Sequence, residues 1–197
     1  MKESMLRLIV ALGTICFASG FGLAMVYEVT KEPIAYQKKL EVIRSLAAVL
    51  PGMEIDPDSQ YKDMTGKDGD AVRVFRSETD EGVAGVAFQV IAPDGYSGNI
   101  YIMMGVLPDG SLGGIEILSH AETPGLGSPI TEENWKGTFK GRSLENTDFR
   151  VKKDGGEIDQ MTGATISPRA VTGAVKKGLE WFRDNTEKIL AAEETSS

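Results

Sequence analysis

The chain has 197 residues, of which 41% are hydrophobic, and a formal net charge of −8 at pH 7. This length fits one domain with a core of ordinary size plus accessory segments, and an acidic chain without a basic block argues against nucleic acid as a partner. A single cysteine, Cys16, and a single histidine, His120, exclude an intrachain disulfide and a His-rich metal site built from this chain alone.

The first predicted element is a membrane anchor. Residues 8–27 form 20 positions without a charge, enough for an α-helix to cross roughly the 30 Å of a bilayer core. A cleaved signal peptide is the alternative. No small-x-small cleavage site follows the run, and Ile15 before Cys16 does not suit a lipoprotein site. We therefore predict one uncleaved transmembrane helix. Basic residues flank it on both sides, so charge counting leaves its orientation undecided.

The second predicted element is an amphipathic helix over residues 31–50, ended by Pro51-Gly52. Its apolar face suits either contact with a membrane partner or, more commonly, packing on its own domain. The polar residues 54–70 are expected to be flexible. These patterns predict a division into an N-terminal tail, an anchor, a helix with connector, a main domain and a polar tail, at 1–7, 8–27, 28–70, 71–191 and 192–197.

Short β patterns follow, at residues 71–76, 82–91, 99–107 and 111–118, with a further possible strand at 148–153. Pro108-Asp109-Gly110 is a hairpin turn between two of them, and such short turns imply antiparallel pairing. We predict an α+β fold: a twisted antiparallel sheet flanked by helices and preceded by one transmembrane helix.

Two loops interrupt the predicted sheet. Residues 93–98, Pro-Asp-Gly-Tyr-Ser-Gly, serve mainly to reverse the chain. Residues 120–127, His-Ala-Glu-Thr-Pro-Gly-Leu-Gly, set polar side chains against a Pro-Gly bend, which suits a rigid loop that presents groups to a ligand. Taken alone, His120 is more often a surface histidine than a functional one. Trp135 and Phe139 are expected in the core, in a short helix capped by Thr131.

The last pattern is a turn before a long helix. A Ser directly before a Pro predicts Ser167 as the N-cap and Pro168 as the first helical residue, and apolar spacing continues the helix to about Leu190. Thr165 then lies just before a helix N-terminus, where free amides and the helix dipole favour a phosphate. The simpler interpretation is an ordinary Gly-containing turn.

Three of these segments resemble the covalent FMN-binding domain family. The sequence Asp-x-x-Thr-Gly-Ala-Thr-x-Ser at 159–167 is similar to its flavin-acceptor motif, residues 120–127 to its His-x-Glu-Thr-Pro-Gly-Leu-Gly loop, and Gly-Tyr-Ser-Gly at 95–98 to the start of its module. The resemblance implies FMN joined through its phosphate to Thr165, with a flavin transferase needed for attachment. It also implies a set of flavin-site residues: Thr162, Gly163, Ala164 and Ser167 around the acceptor, His120, Glu122, Thr123, Gly125 and Leu126 beside the ring, and Tyr96 near the cofactor.

Within this family the chain looks most like the flavin-bearing subunit of Rnf-type ion-translocating complexes. The short segment between anchor and sheet favours that group over the homologous flavin-bearing subunit of the sodium-translocating NADH:quinone reductase. The resemblance implies an electron-transfer subunit of a ferredoxin:NAD oxidoreductase in the bacterial inner membrane. Its soluble domain would lie on the periplasmic side, with other Rnf subunits as partners, no catalytic residue and no metal. A stand-alone membrane-anchored flavin reductase and a non-redox tethered scaffold are the alternatives.

Overall fold

The computed structural model describes residues 2–66, 69, 71–80 and 82–191. The predicted tail at 192–197 and three positions of the predicted connector, 67, 68 and 70, lie outside the described residues. The chain divides into two compact units, Met1–Glu41 and Val42–Ser197.

The first helix, α1, runs from Lys2 to Val49 without a break. It contains a stretch long and apolar enough to cross a membrane, and the side chains of that stretch are exposed. The helix continues without interruption past residue 27, and Pro33 is accommodated inside it. The helix ends at Val49, one residue before Pro51-Gly52, where Gly52 has a φ of 84°.

Five antiparallel strands form one sheet in chain order. They are β1 Tyr61–Thr65, β2 Ala71–Thr79, β3 Gly82–Gly95, β4 Gly98–Val106 and β5 Leu112–Ser119. The four predicted β runs are confirmed as β2 to β5, and with the flanking helices they confirm the α+β class. Strand β1 falls in the segment expected to be flexible. It is an edge strand with alternating exposed and half-buried side chains, so its sequence carries little apolar signal.

The segment after the sheet contains short helical turns and then one long helix. The 3-10 turns are Ser128–Thr131, Gly137–Phe139 and Lys152–Asp154, and the α-helices are α2 Glu133–Lys136 and α3 Ile166–Leu190. Two predictions here are wrong. Thr131 does not cap α2, because its hydroxyl donates to the Ser128 carbonyl and closes the preceding turn. The predicted strand at 148–153 is a single bridge between Val151 and Ile158, because the chain reverses at Gly155, whose φ is 84°.

Each face of the sheet is covered within the second unit. Helix α3 packs on one face, where Trp135 and Phe139 lie in the core as expected. The last turn of α1 packs on the other face, where Leu46, Val49 and Leu50 join a smaller core with strand side chains. This end of α1 therefore packs on its own domain, the commoner of the two interpretations.

Candidate functional site

The predicted acceptor segment forms a tight turn immediately before α3. The Ala164 amide donates to the Met161 carbonyl at 3.2 Å. Gly163 has a φ of 79°, which side-chain-bearing residues rarely adopt. A Cβ at Gly163 would have only Leu126 Cδ2 within 4 Å, at 3.7 Å. The turn thus leaves its backbone open to an approaching group, and Thr162 beside it is exposed.

Helix α3 begins two residues earlier than predicted, with Thr165 as N-cap and Ile166 as its first residue. Pro168 therefore stands third in the helix, a position whose missing amide would have had no intrahelical acceptor either. Ser167 is not the cap because its hydroxyl donates instead to Glu122 Oε2. The expectation that Thr165 stands at a helix N-terminus holds.

The hydroxyl of Thr165 is available for chemistry. Its side chain is half-buried, makes no capping hydrogen bond, and has no other hydrogen-bond partner among the described residues. The amides of Ile166 and Ser167 likewise have no acceptor within the part of the chain that the structure describes. An alcohol beside two free amides at the start of a 25-residue helix can hold a phosphate group.

Glu122 joins three separate segments beside this turn. Its side chain is buried, with the residue only 5% exposed. Oε1 accepts the Ser97 amide at 3.1 Å, at the tip of the β3–β4 hairpin, and Oε2 accepts the Ser167 hydroxyl at the start of α3. The Glu122 amide donates to Nδ1 of His120 at 3.1 Å, so this imidazole nitrogen acts as an acceptor. Glu122 and Ser167, both predicted as flavin contacts, thus bind each other.

The other predicted loop residues shape the surface near Thr165. Thr123 is exposed, and its carbonyl accepts the amides of Leu126 and Gly127, which closes the loop into a turn. Gly125 has a φ of 75° and donates to Ser128 Oγ at 2.9 Å. Leu126 is 50% exposed, its Cδ2 would lie 3.7 Å from a Cβ placed on Gly163, and Tyr96 at the hairpin tip is 68% exposed.

Three contacts hold the acceptor segment and the start of α3 in place, and sequence reasoning did not predict them. The Trp135 indole donates to the Asp159 carbonyl at 2.7 Å, and Lys152 pairs with the Asp159 carboxylate at 2.6 Å. Arg169, in the first turn of α3, makes two hydrogen bonds to Asp154, which hold the pKa of that carboxyl below its usual value. No local sequence signal links residues so far apart, although the motif itself pointed to Asp159.

A hollow adjoins the helix start. It measures about 160 Å³ and is lined by residues of β3 and of one side of α3, including Pro93, Ile166 and Arg169. It shares Ile91, Pro93, Ala174 and Lys177 with a cleft of about 750 Å³ that extends toward β2. The residue that follows Thr165 therefore borders a cavity.

Comparison with known proteins places these segments in one family. The FMN-binding domain family matches residues 95–180, which contain the hairpin tip, the 120–127 loop and the acceptor turn. The chain is 38% identical over 175 residues to the G subunit of the ion-translocating oxidoreductase complex of Aliivibrio fischeri (strain MJ11), covering 83% of each chain. It is 36% identical to the G subunit of the same complex from Shewanella piezotolerans, covering 98% of this chain and 96% of the relative.

Among solved structures, Shewanella oneidensis NqrC aligns with a TM-score of 0.52 and 24% identity, over 70% of this chain and 71% of that chain. This similarity concerns the fold.

Proposed function

This chain belongs to the family of G subunits of the ion-translocating oxidoreductase complex, and we propose that Thr165 holds its FMN covalently, as a phosphate ester of the threonine hydroxyl. The chain is an electron-transfer component of such a complex, anchored through α1. The other subunits of the complex are its partners. The covalent attachment of FMN to Thr165 is argued from the geometry of the acceptor turn.

The observation that supports the attachment is the free hydroxyl of Thr165 beside two free amides. An ester needs an accessible oxygen that is not committed as a helix cap, and Thr165 has one. The amides of Ile166 and Ser167 are in place to bind the phosphate oxygens, with the helix dipole adding to the attraction. The open side of Gly163 leaves room for the group to approach.

The residues around Thr165 also fit a flat, partly apolar ring system. Bound FMN supplies one-electron and two-electron redox chemistry, while a protein sets its position and its potential. Leu126 and Tyr96 both present exposed apolar surface, Leu126 in the loop that carries Glu122 and Tyr96 next to Ser97, which donates to Glu122. We assign Leu126 to an apolar face of the ring and Tyr96 to its surroundings. Thr162 and Ala164 shape the acceptor turn, and His120, Thr123 and Gly125 hold the loop beside it.

We place the flavin-bearing domain on the periplasmic side of the membrane. A domain that carries a tethered flavin on the periplasmic side would retain its cofactor where free FMN is scarce. Maturation requires a flavin transferase, which moves the FMN half of FAD to the Thr165 oxygen; the pyrophosphate bond of FAD breaks, AMP leaves, and the hydroxyl gives up its proton. Replacing charged residues on one side of the apolar run and mapping protease access in membrane vesicles tests this orientation.

The attachment site is tested by intact mass. Wild-type protein produced together with a flavin transferase is expected to gain one FMN less one water, and the increment should stay on the peptide containing Thr165 after acid denaturation. Thr165→Val should remove it completely. Thr131→Val, outside the turn, serves as the matched control and should keep the flavin. Covalent flavin on the Thr165→Val variant would show that another residue is the attachment site.

A further inference from the structure

We propose that Glu122 is a positioning residue, which fixes the flavin relative to the protein without touching the bond that attaches it. This inference rests on the proposed function of Thr165. Glu122 is the point at which the hairpin tip, the 120–127 loop and the start of α3 are joined through side-chain hydrogen bonds. Ser167, its partner, stands two residues after the attachment site in the first turn of the helix.

The backbone is packed closely around this carboxylate. A Cβ on Gly127 would lie 2.5 Å from Oε2, and a Cβ on Gly95 would lie 2.9 Å from Oε1. Two glycines from two different segments therefore approach the carboxylate to distances that any other residue would prevent. Such a site leaves the carboxylate little freedom and turns it into a rigid link.

The link matters because of what the same loop carries. Leu126 lies four residues after Glu122, and its side chain lies beside Gly163 of the acceptor turn, since Cδ2 would be 3.7 Å from a Cβ placed there. Without the Glu122–Ser167 hydrogen bond, the loop loses its side-chain hydrogen bond to the start of α3. The surface beside Thr165 would then shift relative to the ester, and the attached ring would reorient more freely.

Shape and charge can be separated at this position. A glutamine at position 122 keeps one carbonyl oxygen for the Ser97 amide, and its NH₂ group can donate to the Ser167 hydroxyl, which rotates to accept. Glu122→Gln should therefore behave nearly as the wild type. Glu122→Ala removes both links and leaves the Ser97 amide without its acceptor, and Ser167→Ala removes only one.

The test uses full-length protein made alongside a flavin transferase, in four variants: Glu122→Gln, Glu122→Ala, Ser167→Ala and, as an exposed control, Glu145→Ala. The FMN content of each variant is measured by mass, so that the flavin signals are compared per bound flavin, and Glu145→Ala should match the wild type. Time-resolved fluorescence anisotropy of the bound flavin should gain a fast component in Glu122→Ala, a smaller one in Ser167→Ala, and none in Glu122→Gln or the control.

A second measurement does not depend on the cofactor. In flavin-free protein, hydrogen exchange at the Ser97 amide should accelerate in Glu122→Ala relative to the wild type and stay unchanged in Glu122→Gln. Wild-type anisotropy and exchange in Glu122→Ala would overturn the proposal, as would a Glu122→Gln variant that behaves like Glu122→Ala. A wild type without flavin on Thr165 would instead overturn the proposed function, and the mass measurement identifies that case separately.

Discussion

At the scale of single residues, the site depends on positions where a side chain would not fit. Gly127 has an ordinary negative φ of −85°, so its role is spatial and not conformational. The nearest atoms to a Cβ at Gly127 belong to Glu122 and Ser167, at 2.5 Å and 2.7 Å. Both are polar groups in a buried hydrogen bond, which cannot move apart without losing it.

We therefore expect Gly127→Ala to lower the free energy of unfolding by about 1–3 kcal/mol, the usual cost of overpacking a closed site. Chemical denaturation measures this. Gly137→Ala is the matched control: its φ of −59° and ψ of −22° suit alanine and nothing lies within 4 Å of the added methyl. That change should be neutral or stabilising by about 0.4–1 kcal/mol. Equal stability of the two variants would contradict this account of the packing.

At the scale of elements, α2 is tied to β5 by a buried lysine. Lys136 is 5% exposed, and its ammonium lies 2.6 Å from Glu116 of β5 and 2.7 Å from Glu133 in its own helix. Burial by itself lowers the pKa of Lys136, but the hydrogen bonds to Glu116 and Glu133 outweigh it and raise the pKa above the usual 10.5. The charged form is thus stabilised by folding.

Because the pKa of Lys136 is higher in the folded state than in the unfolded state, its contribution to stability is complete below the unfolded pKa and is lost as the pH rises through the folded pKa. The difference in unfolding free energy between wild type and Lys136→Met should therefore fall once the pH passes about 10.5. Lys140→Met, at an exposed position, is the matched control. A wild-type to Lys136→Met difference that stays constant up to high pH would show that the lysine is not held as a buried ion pair.

The elements also show what a sequence can predict and what it cannot. Strands β2 to β5 and helix α3 were predictable because alternation and helical spacing record which side chains are buried. The polar edge strand β1 leaves no such record, and its pairing is visible only from contacts such as Arg73 with Asp63. The start of α3 was misplaced because capping rules are local. The Ser167 hydroxyl donates to Glu122, which lies 45 residues away in the sequence, and no spacing rule predicts that hydrogen bond.

At the scale of the whole molecule, the membrane helix and the candidate site fall in different compact units. The second unit nevertheless includes the end of α1, since Leu46, Val49 and Leu50 are buried against Phe75, Ala87 and Met103. The backbone approaches very closely there: a Cβ on Gly113 would lie 2.5 Å from the Val49 carbonyl oxygen. The residues from 42 onward are therefore part of the domain core and not a dispensable linker.

Two truncated proteins test this division. A chain that begins at Val42 should fold cooperatively, bind flavin at Thr165 when made with a transferase, and leave the membrane fraction, because it lacks the apolar stretch of α1. A chain that begins at Pro51 loses the three buried apolar side chains of Leu46, Val49 and Leu50, each of which contributes roughly 1.5–3 kcal/mol on burial. Since domains of this size are stable by only about 5–15 kcal/mol, its urea midpoint should fall far below that of the longer form. Equal midpoints would mean that the end of α1 covers the sheet without stabilising it, and the close approach at Gly113 would then have no energetic consequence.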